Sequence, residues 1–200
     1  MKGRTNLKRQ AGFLMLEALV ALVLVLVGLL GLVALQARAQ QAETESYQRV
    51  QALILVRDMA DRINANRSAA ASYAVGAPVS APMGNGSTKD CSAPTNVVDI
   101  DLCQWQNALL GAAETVGGTC TTASGANCVG AMIGARGCIT PMAGPNQYLV
   151  QVVWQGLVQT SNPPASVACG ANLYGDEAAS ATLGRRRAVT TVVEIGTLSP

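Results

Sequence analysis

The sequence predicts an α+β protein in which one long N-terminal helix packs on a small antiparallel sheet. Residues 13–35 form an apolar run, and the chain continues to residue 67 without a proline and with helix-compatible residues. Further along, the segments 147–156 and 187–195 alternate apolar and polar residues, which is typical of half-buried strands. A shorter apolar run at 137–140 predicts a third strand.

The composition suits one packed domain plus an anchor, since half of the 200 residues are apolar and 13% are charged. The formal net charge is +2, but Lys2, Arg4, Lys8 and Arg9 all precede the apolar run. Without residues 1–12 the chain keeps ten basic and 12 acidic side chains. This balance is too weak to indicate a polyanion partner, so we predict no specific nucleic-acid binding.

The apolar run at 13–35 has 23 residues and is long enough to span a bilayer. Its only charged residue is Glu17. Four basic residues precede the run and only Arg38 follows closely, so the positive-inside rule predicts a cytoplasmic N-terminus. Residues 36–200, with all six cysteines, would then lie where disulfides persist.

Three interpretations of the N-terminus compete. A cleaved secretory signal peptide is supported by the basic leader and by Ala37, Arg38 and Ala39 as a cleavage site, although its apolar core normally has only about 7 to 15 residues. A plain single-span anchor would leave Glu17 as a tolerated acid near the membrane interface. The third interpretation uses all the N-terminal features together.

The basic leader, Gly12 followed by Phe13, and Glu17 in a long apolar helix resemble the class III signal of type IV pilins and type II secretion pseudopilins. The resemblance implies that a prepilin peptidase cuts between Gly12 and Phe13 and that Phe13 is N-methylated. The segment VGLLGLVALQARAQ at 27–40 is similar to minor pilins of the PilV type. Where the family often has a small polar residue after the phenylalanine, this chain has Leu14.

This resemblance implies a type IV pilin fold with a prepilin leader at 1–12, a transmembrane helix at 13–35, a helical continuation at 36–67 and a globular head at 68–200. The implied function is that of a minor pilin, a structural subunit without catalysis that helps prime pilus assembly, enters the filament at its tip and supports adhesion or twitching motility. The alternatives are a minor pseudopilin of a type II secretion system and, in a different class, a disulfide-rich exported binding domain.

The implied partners are other minor and major pilins, the prepilin peptidase and N-methyltransferase, the inner membrane and the pilus assembly machinery. The head would lie in the periplasm and, after assembly, on the pilus at the cell surface. Glu17 has a physical role in this scheme, because cleavage creates an ammonium on Phe13 and both charges gain by meeting in an apolar environment. A subunit docked out of register would leave both charges unpaired.

Within residues 36–67, apolar residues at spacings of three and four predict one stripe facing the sheet. The stripe consists of Val50, Leu53, Val56, Ala60 and Ile63. We expect the charged side chains of this segment to lie on a solvated face with i,i+4 support. These are Glu45, Arg49, Asp58, Asp61 and Arg62.

Residues 68–97 and 114–137 are rich in small residues and are predicted to be loops. Between them, Asp99 or Asp101 is predicted to cap a short helix that places Trp105 in the core. Its apolar face comprises Leu102, Trp105, Leu109 and Ala112. Asp99 and Asp101 lack a surrounding calcium-binding loop, so capping is preferred to metal binding.

The chain has no histidine, which removes Ser-His-Asp and Cys-His catalysis. The six cysteines include no C-x-x-C pair, so structural disulfides are favoured over a zinc or redox site, and no metal, cofactor or enzymatic activity is predicted. Fifteen pairings are available, of which we prefer Cys138 with Cys169, Cys91 with Cys103, and Cys120 with Cys128. Arg185, Arg186 and Arg187 are expected to be a solvated cluster.

Overall fold

The computed structural model describes residues 11–112, 132–175 and 182–196, with side chains from residue 15 onward. The chain divides into two compact units, Met1–Thr44 and Glu45–Pro200, which we call the N-terminal unit and the head unit. The helices are α1 (Ala11–Ala65), a short 3-10 helix (Arg67–Ala69), α2 (Ala70–Gly76) and α3 (Val97–Leu109). The strands are β1 (Ile133–Pro141), β2 (Gln147–Ser161) and β3 (Leu183–Glu194).

The single long helix expected at the N-terminus is present as α1, which has 55 residues and no interruption. Its sequence contains no proline, so no residue within it lacks the main-chain N–H that the helical hydrogen-bond ladder needs. The helix ends at Ala65, where Asn66 leaves the helical conformation and begins the short 3-10 turn. The predicted fold class, a long apolar helix followed by a small antiparallel sheet, is confirmed.

The sheet is antiparallel in the order β1-β2-β3. Tyr148 lies opposite Val193 and Val152 lies opposite Val189, so the apolar positions predicted for the two longer strands share one face. All three predicted strands are present, but each is longer than expected. The strand predicted to end at Gly156 continues through a bulge, beyond which Thr160 and Ser161 pair with the start of β3.

The main core of the head unit lies between α1 and one face of the sheet. Its buried residues from α1 are Ala52, Val56, Met59 and Ile63, and those from β2 are Tyr148, Val150, Val152 and Trp154. The predicted stripe is correct for Val56 and Ile63 but wrong for Val50 and Leu53, which are 49% and 37% exposed. The buried face of α1 includes Gln48 and Ala52 instead. One of these residues is polar and the other is small, so the spacing of large apolar residues does not indicate them.

The opposite face of the sheet carries a second cluster that the sequence did not predict. Cys138, Val153, Val167, Cys169 and Tyr174 are buried together there, because the segment after β2 folds back over the strands. The alternation in β2 predicted a solvated face at this position. That prediction was wrong.

Two local expectations about the helices also need correction. Residues 68–97 were predicted as a loop, yet α2 forms there and buries Tyr73 and Ala74. The cap of α3 is neither Asp99 nor Asp101 but Asn96, whose Oδ1 accepts from the Val98 amide at 2.8 Å. The predicted apolar face of α3 is confirmed at Leu102, Trp105 and Leu109, whereas Ala112 lies beyond the helix and is half-buried.

The second predicted loop, 114–137, lies largely outside the described residues. Its end is described, however, and β1 already begins there at Ile133. The strand starts this early because Ile133 pairs with Gln155 of β2. On the other edge of β1, Gly137 exchanges two main-chain hydrogen bonds with Met83 at 2.8 and 3.0 Å. The first strand is therefore held on both edges, by β2 and by the segment around Met83.

Candidate functional site

The apolar surface of α1 is the most unusual feature of the N-terminal unit. Every described side chain from Met15 to Leu35 is exposed, including Leu16 at 63% and Leu30 at 70%. By length and composition this helix can cross a membrane. An apolar surface of this extent is costly in water, so it is consistent with anchoring in a membrane.

The predicted signal residues occupy the first turns of this helix. Gly12 and Phe13 lie at its N-terminal end, and Glu17 follows at an exposed position. Glu17 is the only charged residue between positions 13 and 35. Within the described part of the chain no ion pair is formed by Glu17.

In the head unit, the carboxylate of Glu45 makes an arrangement that the sequence pattern missed. Its Oε1 accepts from the Leu157 and Val158 amides at 3.1 and 3.4 Å and from Nη2 of Arg187 at 3.3 Å. Glu45 was expected on a solvated helix face, but it binds residues more than 100 positions away. The two amides lie within the bulge of β2, where the ladder to β3 is interrupted. The residues around Glu45 in the sequence therefore do not indicate this contact.

A cleft of about 360 Å³ lies beside this carboxylate. Its lining residues are Glu45, Ser46, Arg49, Trp154, Arg187 and Ala188. The indole of Trp154, one of these residues, donates to Oε1 of the buried Gln48 at 3.1 Å. This bond satisfies a polar group of the core and fixes the tryptophan against α1.

Two of the three arginines predicted to form a solvated cluster, Arg186 and Arg187, are instead bonded within the head unit. Arg186 is 5% exposed and donates from Nη1 to the carbonyl oxygens of Val167 and Cys169 at 2.6 and 2.9 Å. Arg187 pairs with Glu45 and donates to the Val158 carbonyl at 2.7 Å. Arg186 thus holds the segment after β2, and Arg187 joins β3 to β2 and α1, which does not favour a role in binding phosphates.

A second polar cluster joins the three helices of the head unit. Arg62 of α1 forms the predicted i,i+4 pair with Asp58 at 3.0 Å, but it also donates to Asp101 of α3 at 2.8 Å. Burial works to lower the pKa of Arg62, yet its hydrogen bonds with Asp101 and Asp58 outweigh burial and raise this pKa. Asp101 thus serves as an ion-pair partner.

The described cysteines form two disulfides, Cys91 with Cys103 and Cys138 with Cys169. These are two of the three pairs preferred from the sequence. The third, Cys120 with Cys128, lies outside the described residues. Within the described ranges no group of three or more Cys, Asp or Glu side chains is arranged to hold a metal ion.

Comparison with known families gives a match to the first half of the head and the end of the N-terminal unit. A family model described as Tt1218-like, type IV pilin Tt1218, matches residues 34–128. The chain is similar to type IV pilins. Comparison with curated proteins and with solved structures finds no match.

The pilin match covers the second half of α1 together with α2 and α3, and it ends before β1. It supports the type IV pilin superfamily and a pilin subunit in general. A pilin is a structural protein that associates with other pilins in a filament, and the exposed apolar helix is consistent with that role. The three strands complete the α+β arrangement of the head unit, which is consistent with a pilin fold.

Proposed function

We propose that this chain is a minor pilin of a type IV pilus, of the PilV type. One observation carries the proposal: Gly12, Phe13 and Glu17 stand at the start of a helix that is apolar and exposed over residues 15–35 apart from Glu17 and continues unbroken to Ala65. The match of residues 34–128 to a pilin family supports it independently, because the match lies outside this signal.

In this proposal, residues 1–12 are a leader that a prepilin peptidase removes, and Phe13 becomes the methylated N-terminus. Residues 13–35 anchor the chain in the bacterial inner membrane, and 36–67 continue the helix. Residues 68–200 form the head in the periplasm. The positive charges of the leader favour this orientation.

Glu17 acts as a docking residue in the assembling filament. After cleavage, the Phe13 ammonium of a neighbouring subunit offers the cation that Glu17 lacks within its own described chain. An ammonium and a carboxylate in an apolar environment stabilise each other only at the correct spacing, so the pair selects the register of the helices. The subunit then joins other minor pilins in priming the pilus and occupies its tip, where it supports adhesion or twitching motility.

The same three signal residues also suit a minor pseudopilin of a type II secretion system. Deleting the gene separates the two functions. Loss of surface pili with normal protein export indicates the pilus, whereas loss of exported proteins with normal pili indicates the secretion system.

The first test is mass spectrometry of the mature chain. We expect the N-terminal peptide to begin at N-methylated Phe13. A mature terminus at Gln40 would instead establish a secretory signal peptide, because cleavage would follow Ala39.

The second test is Glu17→Ala, with Glu43→Ala as the matched control on an exposed acid of the same helix. Glu17→Ala makes the span more apolar, so membrane insertion and processing should continue. The amount of the chain in sheared pili should fall strongly, since breaking a buried ion pair costs about 3–5 kcal/mol. Glu43→Ala should leave the amount in pili unchanged, and equal incorporation of both variants would reject the docking role of Glu17.

A further inference from the structure

The two edges of the sheet differ in how they are covered. On the outer edge of β1, Gly137 is bonded to Met83, and the Ile139 amide donates to the Ala77 carbonyl at 2.7 Å. The outer edge of β3 has no corresponding segment beside it within residues 11–112, 132–175 and 182–196. The described sheet is thus closed on one side and open on the other.

The register identifies which main-chain groups of β3 point away from β2. The Ile195 amide donates to the Asn146 carbonyl at 3.0 Å. In an antiparallel pair every second residue is hydrogen-bonded to the partner strand, so Val193, Thr191 and Val189 bond to β2 in the same way. The intervening residues direct their amides and carbonyls outward. These residues are Ala188, Thr190, Val192 and Glu194.

The sequence of this edge carries little of the usual protection against pairing. Natural edge strands often carry charged residues, especially lysine, or a proline or a bulge. In β3 the charged residues are confined to Arg185, Arg186 and Arg187 at its start and Glu194 at its end. Residues 188–194 contain no lysine and no proline. The bulge in the β2–β3 pair lies between Gln155 and Thr160 of β2, which are opposite the start of β3 and not opposite this segment. Five consecutive residues, Val189 to Val193, are β-branched, which favours an extended and straight strand.

We propose that residues 188–194 bind an extended segment of a different pilin subunit, which adds a fourth strand beside β3. This proposal rests on the proposed pilin function. Main-chain hydrogen bonds to the four outward residues provide affinity, and side chains at alternate positions provide selectivity. Exposed Glu194 has no ion-pair partner in the described part of the chain, so it selects a lysine or arginine at the opposing position.

A second copy of this chain fits the edge poorly. Antiparallel pairing of two β3 strands places a two-fold axis perpendicular to the sheet, which reverses the α1 segment packed on it. The α1 segments within the two head units, residues 45–65, would then run in opposite directions, which does not suit two neighbouring subunits of one filament. Parallel pairing of two β3 edges in register is excluded, because both edges direct the amides and carbonyls of the same residues outward, whereas a parallel ladder bonds such a residue to the two residues flanking the one opposite it.

The test compares amide exchange of the full-length wild-type chain in the membrane fraction and in sheared pili. Thr190, Val192 and Glu194 should exchange rapidly in the membrane fraction and become at least about tenfold slower in pili. Val189, Thr191 and Val193 should be protected in both states, because they already bond β2. Unchanged exchange of the outward amides in pili would overturn the edge proposal while leaving the pilin function intact.

Two substitutions at one position distinguish the main chain from the side chain. Val192→Pro removes an outward amide that β2 does not use, whereas Val192→Ala shortens the side chain and keeps the amide. We expect Val192→Pro to lower incorporation into pili by about tenfold or more, with Val192→Ala close to wild type. Equal loss with both variants, or no loss with Val192→Pro, would contradict strand addition.

Two further outcomes are informative. Protection of the outward amides in the purified chain alone, rising with its concentration, would assign the edge to a second copy and overturn the choice of a different subunit. Absence of the processed wild-type chain from pili would remove the proposed function, and the edge proposal with it.

Discussion

Tyr73 illustrates how single side chains organise the head unit. It is fully buried, and its hydroxyl donates to Oδ2 of Asp101 at 2.5 Å while accepting from Asn66 at 3.4 Å. The other oxygen of Asp101 accepts from Arg62. Burial first, and then the bond to Asp101, raise the pKa of Tyr73 from 10.0 to about 12. One carboxylate therefore joins α1, α2 and α3 through two donors.

This raised pKa predicts how stability depends on pH. A neutral hydroxyl is favoured in the folded chain, so the contribution of Tyr73 is fully present below pH 10 and is lost as pH rises through about 12. Tyr73→Phe should lower the free energy of unfolding by about 1 kcal/mol at neutral pH. Between pH 10 and 12 wild type should lose more stability than the variant in denaturant unfolding of the full chain in detergent. Parallel pH profiles would contradict the role of Tyr73.

Gly137 is a second residue whose identity is set by a close contact. A Cβ atom at this position would lie 2.3 Å from the Trp105 ring and 2.8 Å from Leu109, both of which are buried. Gly137→Ala should therefore destabilise the head by about 1–3 kcal/mol through overpacking. Gly196→Ala is the control, since no atom lies within 4 Å of its added Cβ. Fluorescence of Trp105 and Trp154 during denaturant unfolding measures both, and equal stabilities would refute the prediction.

At the scale of secondary-structure elements, the bulge in β2 is stabilised from α1. The ladder between β2 and β3 shifts register between Gln155 and Thr160, and two amides within this interval, those of Leu157 and Val158, are directed to Glu45. Arg187 of β3 binds the same carboxylate. A helix, a bulge and an edge strand are thus joined at one side chain.

Glu45→Ala should consequently lower the free energy of unfolding by about 1–2 kcal/mol, because two amides and a guanidinium lose an acceptor. This value is modest because the Glu45 side chain is 30% exposed and water can replace part of the bond. Glu43→Ala is the matched control, because Glu43 is exposed and has no ion pair within the described residues. Amide exchange should accelerate at Leu157 and Val158 in Glu45→Ala alone. Unaltered exchange there would exclude the bridging role.

At the scale of the whole molecule, two disulfides stabilise a head that contains much irregular chain. The disulfide between Cys138 and Cys169 joins β1 to the segment after β2, which covers the face of the sheet opposite α1. Both cysteines belong to the second buried cluster. Cys91 fastens the segment before α3 to Cys103 within that helix. These covalent links hold in place the connections that have few main-chain hydrogen bonds of their own.

Loop length predicts the relative contributions of the two disulfides. The Cys138–Cys169 link spans 31 residues and should stabilise by about 4 kcal/mol, and the Cys91–Cys103 link spans 12 and should contribute about 3 kcal/mol. Each pair is replaced by serines, and the full chain is unfolded by denaturant. Intact protein should expose no reactive thiol at these four positions before unfolding. Reactive thiols in folded wild type, or equal stability after both replacements, would contradict this assignment.

The sequence allowed much of this arrangement to be predicted wherever one segment carried its own signal. Val150, Val152 and Trp154 alternate along β2 and are buried as expected, and Trp105 lies in the core as the helical spacing of α3 indicated. The sequence did not allow prediction of Gln48 as a core residue or of Arg186 as a buried donor. Their burial depends on Trp154 and on carbonyl groups of the segment after β2, which no local period reveals.

The sequence by itself determined that a long apolar helix carrying one acid, Glu17, precedes an α+β head, because bilayer-length apolarity and strand alternation are properties of consecutive residues. Only the tertiary structure decided which charges of the head are buried, which face of α1 is buried, and that the outer edge of β3 is open among the described residues. Those features arise from pairs such as Glu45 with Arg187, which are 142 positions apart. The energies of these pairs depend on how the strands and helices pack against one another. The order of neighbouring residues in the sequence does not reveal that packing.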